Sequence, residues 1–237
     1  MKEFEKTVFF KPVTLPQKRQ RRSIGKVDYN KMGIIEMKNV RYSYDGRQNV
    51  LKNVNAVFER GKMYAVAGPS GCGKTTLLSL LGGLDSPTEG EILYKGENIE
   101  KKGLAFHRKN NVAFIFQNCN LIDYLTPKEN VALTSTLPPL PVLEQVGLKE
   151  EECKRSVLKL SGGQQQRVAI ARALASDAEV ILADEPTGSL DFDTAAEITR
   201  ILKDCACRMS KCVIAVTHSA ELAKQADTVF KLKKGTI

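Results

Sequence analysis

Apolar and polar positions fall into register from Ile34 onward. Ile34–Tyr44 reads as a strand, and Asp45-Gly46 as the turn that ends it. Val50–Phe58 is a second strand region, and Met63–Ala67, apolar throughout, reads as a buried third. Leu77, Leu78, Leu80 and Leu81 then recur at helical spacing, up to Gly82-Gly83. Glu91–Tyr94 and Val112–Phe116 are further strands. A helix is predicted over Pro127–Leu133 with Thr126 as its cap. Pro138, Pro139 and Pro141 break the chain next, and a short helical stretch at Val142–Val146 ends at Gly147. A long helix follows Ser161, its apolar face carried by Val168, Ile170, Ala173 and Leu174.

The last third alternates strictly. Strand Val180–Ala183, a helix from Thr194 (the pattern is helical over Asp193–Met209), strand Val213–Val216, a helix from Ala220 and strand Thr228–Leu232 predict an α/β fold in which crossover helices flank a parallel sheet. There are no internal repeats. The pattern places a folded domain at 34–237 and a separate tail at 1–33.

Composition adds limits. The 237 residues are 42% hydrophobic, enough for a sizeable core. No apolar run reaches the roughly eighteen residues of a membrane span, and no secretory pattern opens the chain, so a cytoplasmic protein is expected. Six cysteines without regular spacing fit a reducing compartment. Cys205, Cys207 and Cys212 cluster in sequence, but ordinary thiols are expected there rather than a metal site, because helical residues two apart point to different faces.

The net charge of +9 is uneven: residues 1–33 hold nine Lys/Arg against three Asp/Glu. Lys18-Arg19-Gln20-Arg21-Arg22 is its densest part. A solvated, disordered tail is the expectation, with contact to anionic lipid headgroups as the functional alternative; no nucleic-acid partner is expected.

Two segments carry chemistry at helix starts. Gly68-Pro69-Ser70-Gly71-Cys72-Gly73-Lys74-Thr75, followed by Thr76, fits the phosphate-binding pattern G-x-x-x-x-G-K-[ST] in the strand–loop–helix context that the pattern requires. Its glycines allow successive N–H groups to converge on an anion. Lys74 brings a charge to the β- and γ-phosphates of a nucleotide, and the Thr75 hydroxyl is suited to Mg²⁺. Cys72 is read as a small space-filling residue, with a side expectation that ATP shields it from alkylation. The second segment is Leu160–Arg167, LSGGQQQR. Ser161 and Gln164 form a capping box, and Gly162 and Gly163 leave the helix start open to an anion, but no lysine completes it. The apolar strand Val180–Ala183 also runs into Asp184-Glu185, placing two carboxylates where open α/β sheets hold their ligands: Asp184 for the Mg²⁺ shell, Glu185 for an attacking water.

Over residues 34–237 the chain resembles the ATP-binding subunit of ABC transporters. The resemblance rests on GPSGCGKTT at 68–76, Gln117 after Phe114-Ile115-Phe116, LSGGQQQRVAIARAL at 160–174, VILADEPT at 180–187, GSLD at 188–191 and His218 after Val216-Thr217. GGLDSPTEGEI, LTPKENV and ADEPTGSLD are similar to its MacB/LolD/FtsE/BceA branch. The resemblance implies the ABC ATPase fold: a P-loop core, an antiparallel β-subdomain, and a helical subdomain at about 118–175. Residues 118–159 look short for the branch, as though one helix were reduced.

It further implies ATP and Mg²⁺ as cofactors and a head-to-tail homodimer that forms with ATP. ATP on the loop of one copy would be covered by Ser161, Gly162, Gly163 and Gln164 of the other. Glu185 would act on water, His218 would contact the γ-phosphate and Gln117 would join the Mg²⁺ shell with Thr75 and Asp184. Asp191 would report across the dimer seam, and Tyr44, with Tyr42 as fallback, would stack on adenine. The partner would be a membrane permease that holds the subunit against the inner face of the membrane. A non-transporting signalling complex of the FtsEX kind shares every motif. A DNA-associated SMC-type ATPase does not fit, since it separates the two halves with a long coiled coil.

Overall fold

In the computed structural model, residues 33–135 and 137–237 are described; the basic knot at Lys18–Arg22 and the tail expectation lie outside them. Two sheets organise the chain. The antiparallel sheet has the order β2-β1-β4-β5, built from β1 (Ile35–Ser43), β2 (Asn49–Phe58), β4 (Glu89–Tyr94) and β5 (Glu97–Asn98). The parallel sheet has the order β6-β7-β8-β3-β9, built from β3 (Met63–Ala67), β6 (Val112–Ile115), β7 (Val180–Asp184), β8 (Cys212–Thr217) and β9 (Thr228–Lys231). This is the α/β architecture expected from the alternating pattern, with the antiparallel sheet added to it.

The apolar runs of the parallel strands are explained by two cores. Met63, Ala65, Ile181, Ala183, Val213 and Ala215 face one core, which is shared with the helices α3 (Pro127–Ala132), α4 (Pro139–Gln145), α5 (Gly162–Leu174) and α6 (Phe192–Met209). Tyr64, Val66, Val180, Leu182, Ile214 and Val216 face the other, with α1 (Lys74–Leu81) and the antiparallel sheet. A strand covered on both faces has no polar side to show, so alternation disappears. β1 has only one covered face, and buried positions alternate with outward ones on either side of a bulge at Lys38-Asn39: Ile35 and Met37 before it, Val40 and Tyr42 after it.

Element boundaries moved where caps decided them. α6 begins at Phe192, not Thr194, because the Asp191 carboxylate accepts the Thr194 N–H at 3.0 Å and fixes the start. The prolines at 138–141 do not merely break the chain: Pro139 opens α4, where its missing N–H costs nothing. α2 (Leu104–Asn110), with its polar Arg108-Lys109-Asn110 end, is a helix for which the sequence carries no periodic signal. α7 (Ala220–Gln225) starts where expected, capped by Ser219. Among the described residues no helix is long and apolar enough to cross a membrane. All six cysteines are unpaired. Cys205 and Cys212 are buried and Cys207 is exposed; burial pushes the Cys205 thiol up to about 12.

Candidate nucleotide site

The parallel strands all point the same way, and their carboxyl ends collect the predicted residues. Gly68 follows β3, Gln117 follows β6, Glu185 follows β7 and His218 follows β8. β8 lies between β3 and β7, so His218 emerges between the phosphate loop and the two carboxylates.

The loop from Gly68 to Gly73 is held by its own chain. Gly71 (φ 75°) and Gly73 (φ 103°) take left-handed backbone that a side chain would strain. Gly68 lies against the Leu232 carbonyl, and a Cβ there would also stand 2.7 Å from the Cys72 Sγ. Cys72 is buried, which fits the space-filling reading. A thiol already covered without ATP gives little labelling contrast, so the alkylation shield is not a useful probe. Helix α1 starts at Lys74 with no side-chain cap and no acidic residue in its first turn. A helix start of this kind presents N–H groups and a positive dipole end to an anion.

Lys74 is buried. Its Nζ donates to the carbonyls of Gly68 (2.9 Å) and Pro69 (3.1 Å) and lies 3.0 Å from His218 Nε2. An ammonium can only donate, so Nε2 accepts and the ring carries its proton on Nδ1. Glu185 Oε2 accepts the His218 backbone N–H at 3.0 Å, while Oε1 lies 3.4 Å from Nε2. With Nε2 already accepting, Glu185 Oε1 is a buried acceptor with no donor among the described residues. Glu185 is also left-handed (φ 46°), a backbone state that a non-glycine residue keeps only when its surroundings enforce it. Its N–H donates to the Val216 carbonyl, which fixes it to β8.

Asp184 is half-buried and hydrogen-bonded by the Thr75 hydroxyl. Burial raises its pKa, against the opposing pull of Thr75 and the Lys74 charge. A desolvated carboxylate beside a hydroxyl is a suitable donor pair for a hard dication. Gln117 is exposed one strand over, at the end of β6.

Tyr44 is 71% exposed and its hydroxyl sits 2.9 Å from Thr76 Oγ1, beside the phosphate loop. It borders a cleft of about 140 Å³ with Ser79, Leu84 and Asp85. The fallback, Tyr42, is excluded. It is buried, meets the Tyr44 ring edge-on, and donates to Asp85, a carboxylate partner that pushes it up to about 12. A second cleft, about 740 Å³, lies between the antiparallel sheet and α2 and contains none of the motif residues.

The second helix start differs. The Ser161 side chain accepts the Gln164 N–H (3.3 Å) and Gln164 Oε1 accepts the Ser161 N–H (2.8 Å), the reciprocal capping box read from the sequence. Gln164 Nε2 reaches Glu152 at 2.7 Å. The N–H groups of Gly162 and Gly163 have no partner among the described residues, and no hydrogen bond joins this turn to the phosphate loop of its own chain. Gly163 is required by a neighbour: a Cβ there would stand 2.5 Å from Thr194 Cγ2. Asp191 is occupied as the α6 cap, and the N–H it accepts holds its carboxyl below the usual range. Sequence reasoning missed Arg172 and Gln166, on the same helix as Ser161, which bond the segment behind Gln117. Their polarity amid the buried face was the signal.

The family described as ABC transporter matches residues 51–188. An uncharacterized ABC transporter ATP-binding protein of Bacillus subtilis, YclH, is 43% identical over 216 residues, covering 86% of this chain and 96% of its own. MJ0796 of Methanocaldococcus jannaschii, likewise described as an ABC transporter ATP-binding protein, is 38% identical over 223 residues, with 86% and 95% covered. Solved structures agree. The dimeric structure of the MJ0796 cassette superposes with a TM-score of 0.77 at 38% identity, covering 86% of this chain and 96% of that one. A post-hydrolysis MJ0796 dimer bound to ADP and Pi gives 0.73 at 36% identity over the same shares. With the phosphate loop, the paired carboxylates and the capped LSGGQ turn arranged as described, this chain belongs to the ABC transporter family as an ATP-binding subunit, an ABC ATPase similar to the LolD/MacB-like branch.

Proposed function

We propose that the chain works as a head-to-tail homodimer in which ATP closes two composite sites and hydrolysis reopens them, driving a membrane permease. The observation that carries this reading is the incompleteness of each helix start on its own. α1 has glycines, a lysine and no cap, whereas the α5 start has two unpartnered N–H groups and no lysine. The γ-phosphate carries more charge than one loop surrounds, and a second helix N-terminus supplies the missing donors. That the relative MJ0796 is described as dimeric supports the same arrangement.

In this reading Gly68–Thr76 wraps the β- and γ-phosphates, and Lys74 exchanges its loop carbonyls for phosphate oxygens. Tyr44 covers the base. Thr75, Asp184 and Gln117 would hold Mg²⁺, which supplies charge neutralisation on the transferring phosphate. Glu185 takes up the proton of the attacking water through Oε1, the buried acceptor with no donor of its own. His218 keeps Glu185 in place through its N–H and stands 3.0 Å from Lys74, between base and phosphate. Ser161, Gly162, Gly163 and Gln164 of the second copy cover the nucleotide, and Asp191 lies one residue before α6 at the same seam. The exposed Tyr124 and Leu158 belong to segments tied by Val157 N–H to Leu125 O, and offer the permease an apolar foothold.

Co-purification from membranes tests the reading. A polytopic membrane protein retained by the wild-type chain, whose presence raises ATP turnover, is the expected result. A chain that hydrolyses ATP at a rate strictly first order in its own concentration, with no membrane protein retained, would overturn it.

A further inference from the structure

Tyr42 takes no part in the proposed nucleotide contacts, yet its own contacts are specific. It stands on β1 two residues before Tyr44, and residues two apart along a strand share a face. The two rings lie 4.9 Å apart at 90°, an edge-to-face pair. Tyr42 is 6% exposed and Tyr44 71%, so the inner ring is enclosed while the outer one keeps a face open to a ligand. The Tyr42 hydroxyl donates to Asp85 Oδ2, and Asp85 Oδ1 accepts the Ser86 N–H at 2.8 Å. Asp85 lies just beyond the end of α1, so the phenol bridges the antiparallel sheet and the loop that follows the helix carrying Lys74.

The backbone before Tyr44 is pinned as well. Ser43 donates its N–H to Thr88 Oγ1 (3.1 Å) and its hydroxyl to the Gln48 carbonyl (2.8 Å). What remains to be ordered is the Tyr44 side chain, and it has two holds. Its hydroxyl meets Thr76 Oγ1 at 2.9 Å. Thr76 belongs to the segment that wraps the phosphates in the reading above, so a ligand competes for that hydroxyl. The ring contact with Tyr42 uses no atom of that segment. A side chain that must be ordered in order to bind costs affinity, and a neighbour that orders it beforehand lowers the cost.

We propose that Tyr42 is a positioning residue for the nucleotide base: anchored through Asp85, it sets the orientation of the Tyr44 ring before nucleotide arrives, and so strengthens binding of the base and not of the phosphates. This rests on the reading that Tyr44 covers the base.

Calorimetric binding of Mg-ADP and of magnesium pyrophosphate, which brings phosphates without a base, to the full-length chain tests this. Tyr42→Leu removes the ring and keeps an apolar filler. It should weaken ADP binding about fivefold, the size of one aromatic pair, and leave pyrophosphate binding unchanged. Tyr42→Phe and Asp85→Asn loosen the anchor but keep the ring, and should fall between wild type and Tyr42→Leu. In ATP turnover the loss should appear as a higher KM at constant kcat. In a Tyr44→Ala background, Tyr42→Leu should have no further effect on ADP affinity. A Tyr42→Leu chain that binds ADP like wild type, one that loses ADP and pyrophosphate equally, or one whose loss persists in Tyr44→Ala would overturn the proposal. If Tyr42→Leu does not fold, Tyr42→Phe and Asp85→Asn decide by the same ratio of ADP to pyrophosphate affinity. Tyr44→Ala alone separates the two levels: unchanged ADP affinity there removes the stacking reading and the proposal with it, whereas a loss there without one in Tyr42→Leu removes the proposal only.

Discussion

Helices α1 and α5 both begin in glycine, and they begin differently. α1 has no side-chain cap and keeps its lysine folded back on its own loop. α5 closes its first turn with a complete capping box and leaves only two N–H groups over. On the proposed reading, local chemistry thus separates a primary phosphate site from an accessory one. The uncapped start depends on a ligand to satisfy it; the capped start is stable alone and contributes when something is brought to it.

The contrast can be tested at its ends. The largest effect is expected at Glu185, where Glu185→Gln removes the base and should lower turnover by about 10²–10⁴-fold while ATP binding and dimerisation, followed by light scattering, persist. Near-wild-type turnover would remove Glu185 from that role. Lys74→Ala should weaken ATP binding by calorimetry about 10–100-fold, the value of one charged hydrogen bond; unchanged affinity would erase the distinction between the two helix starts. Ser161→Ala should leave ATP affinity of the isolated chain intact, cost about 0.5–2 kcal/mol of stability through the lost cap, and reduce turnover about tenfold. If ATP affinity fell as far as in Lys74→Ala, the accessory role would be wrong.

The smallest effect concerns Asp184. Burial raises its pKa in the folded chain. Its contribution to stability is therefore full below the unfolded carboxylate pKa and is lost as pH rises through the folded one. At neutral pH, without Mg²⁺, Asp184→Asn should melt above wild type, and the gap should narrow on acidification through the carboxylate range. A gap that widens on acidification contradicts the assignment.

Much of this was legible because motif and period coincided. Met63–Ala67 and Val180–Ala183 are apolar on both faces because both faces are covered, and the glycines of 68–73 announce a loop that only glycine can form. The Ser161–Gln164 box was readable because its partners are three residues apart. What could not be read was set by distant partners. The left-handed Glu185 depends on Val216, α2 on packing rather than period, and the grip of Arg172 on residues about fifty positions earlier. Tyr42 and Tyr44 look alike in sequence, and only their burial tells them apart.

The strand order of the parallel sheet has a consequence for the chain while it is being made. β8 lies between β3 and β7, yet it is among the last elements to leave the ribosome. Until Cys212–Thr217 has emerged, the phosphate loop and the two carboxylates have no common sheet to bring them together, and apolar edges of β3 and β7 stay open. Nucleotide cannot template the early part of the fold, and a nascent chain stalled before residue 212 should be one that chaperones hold.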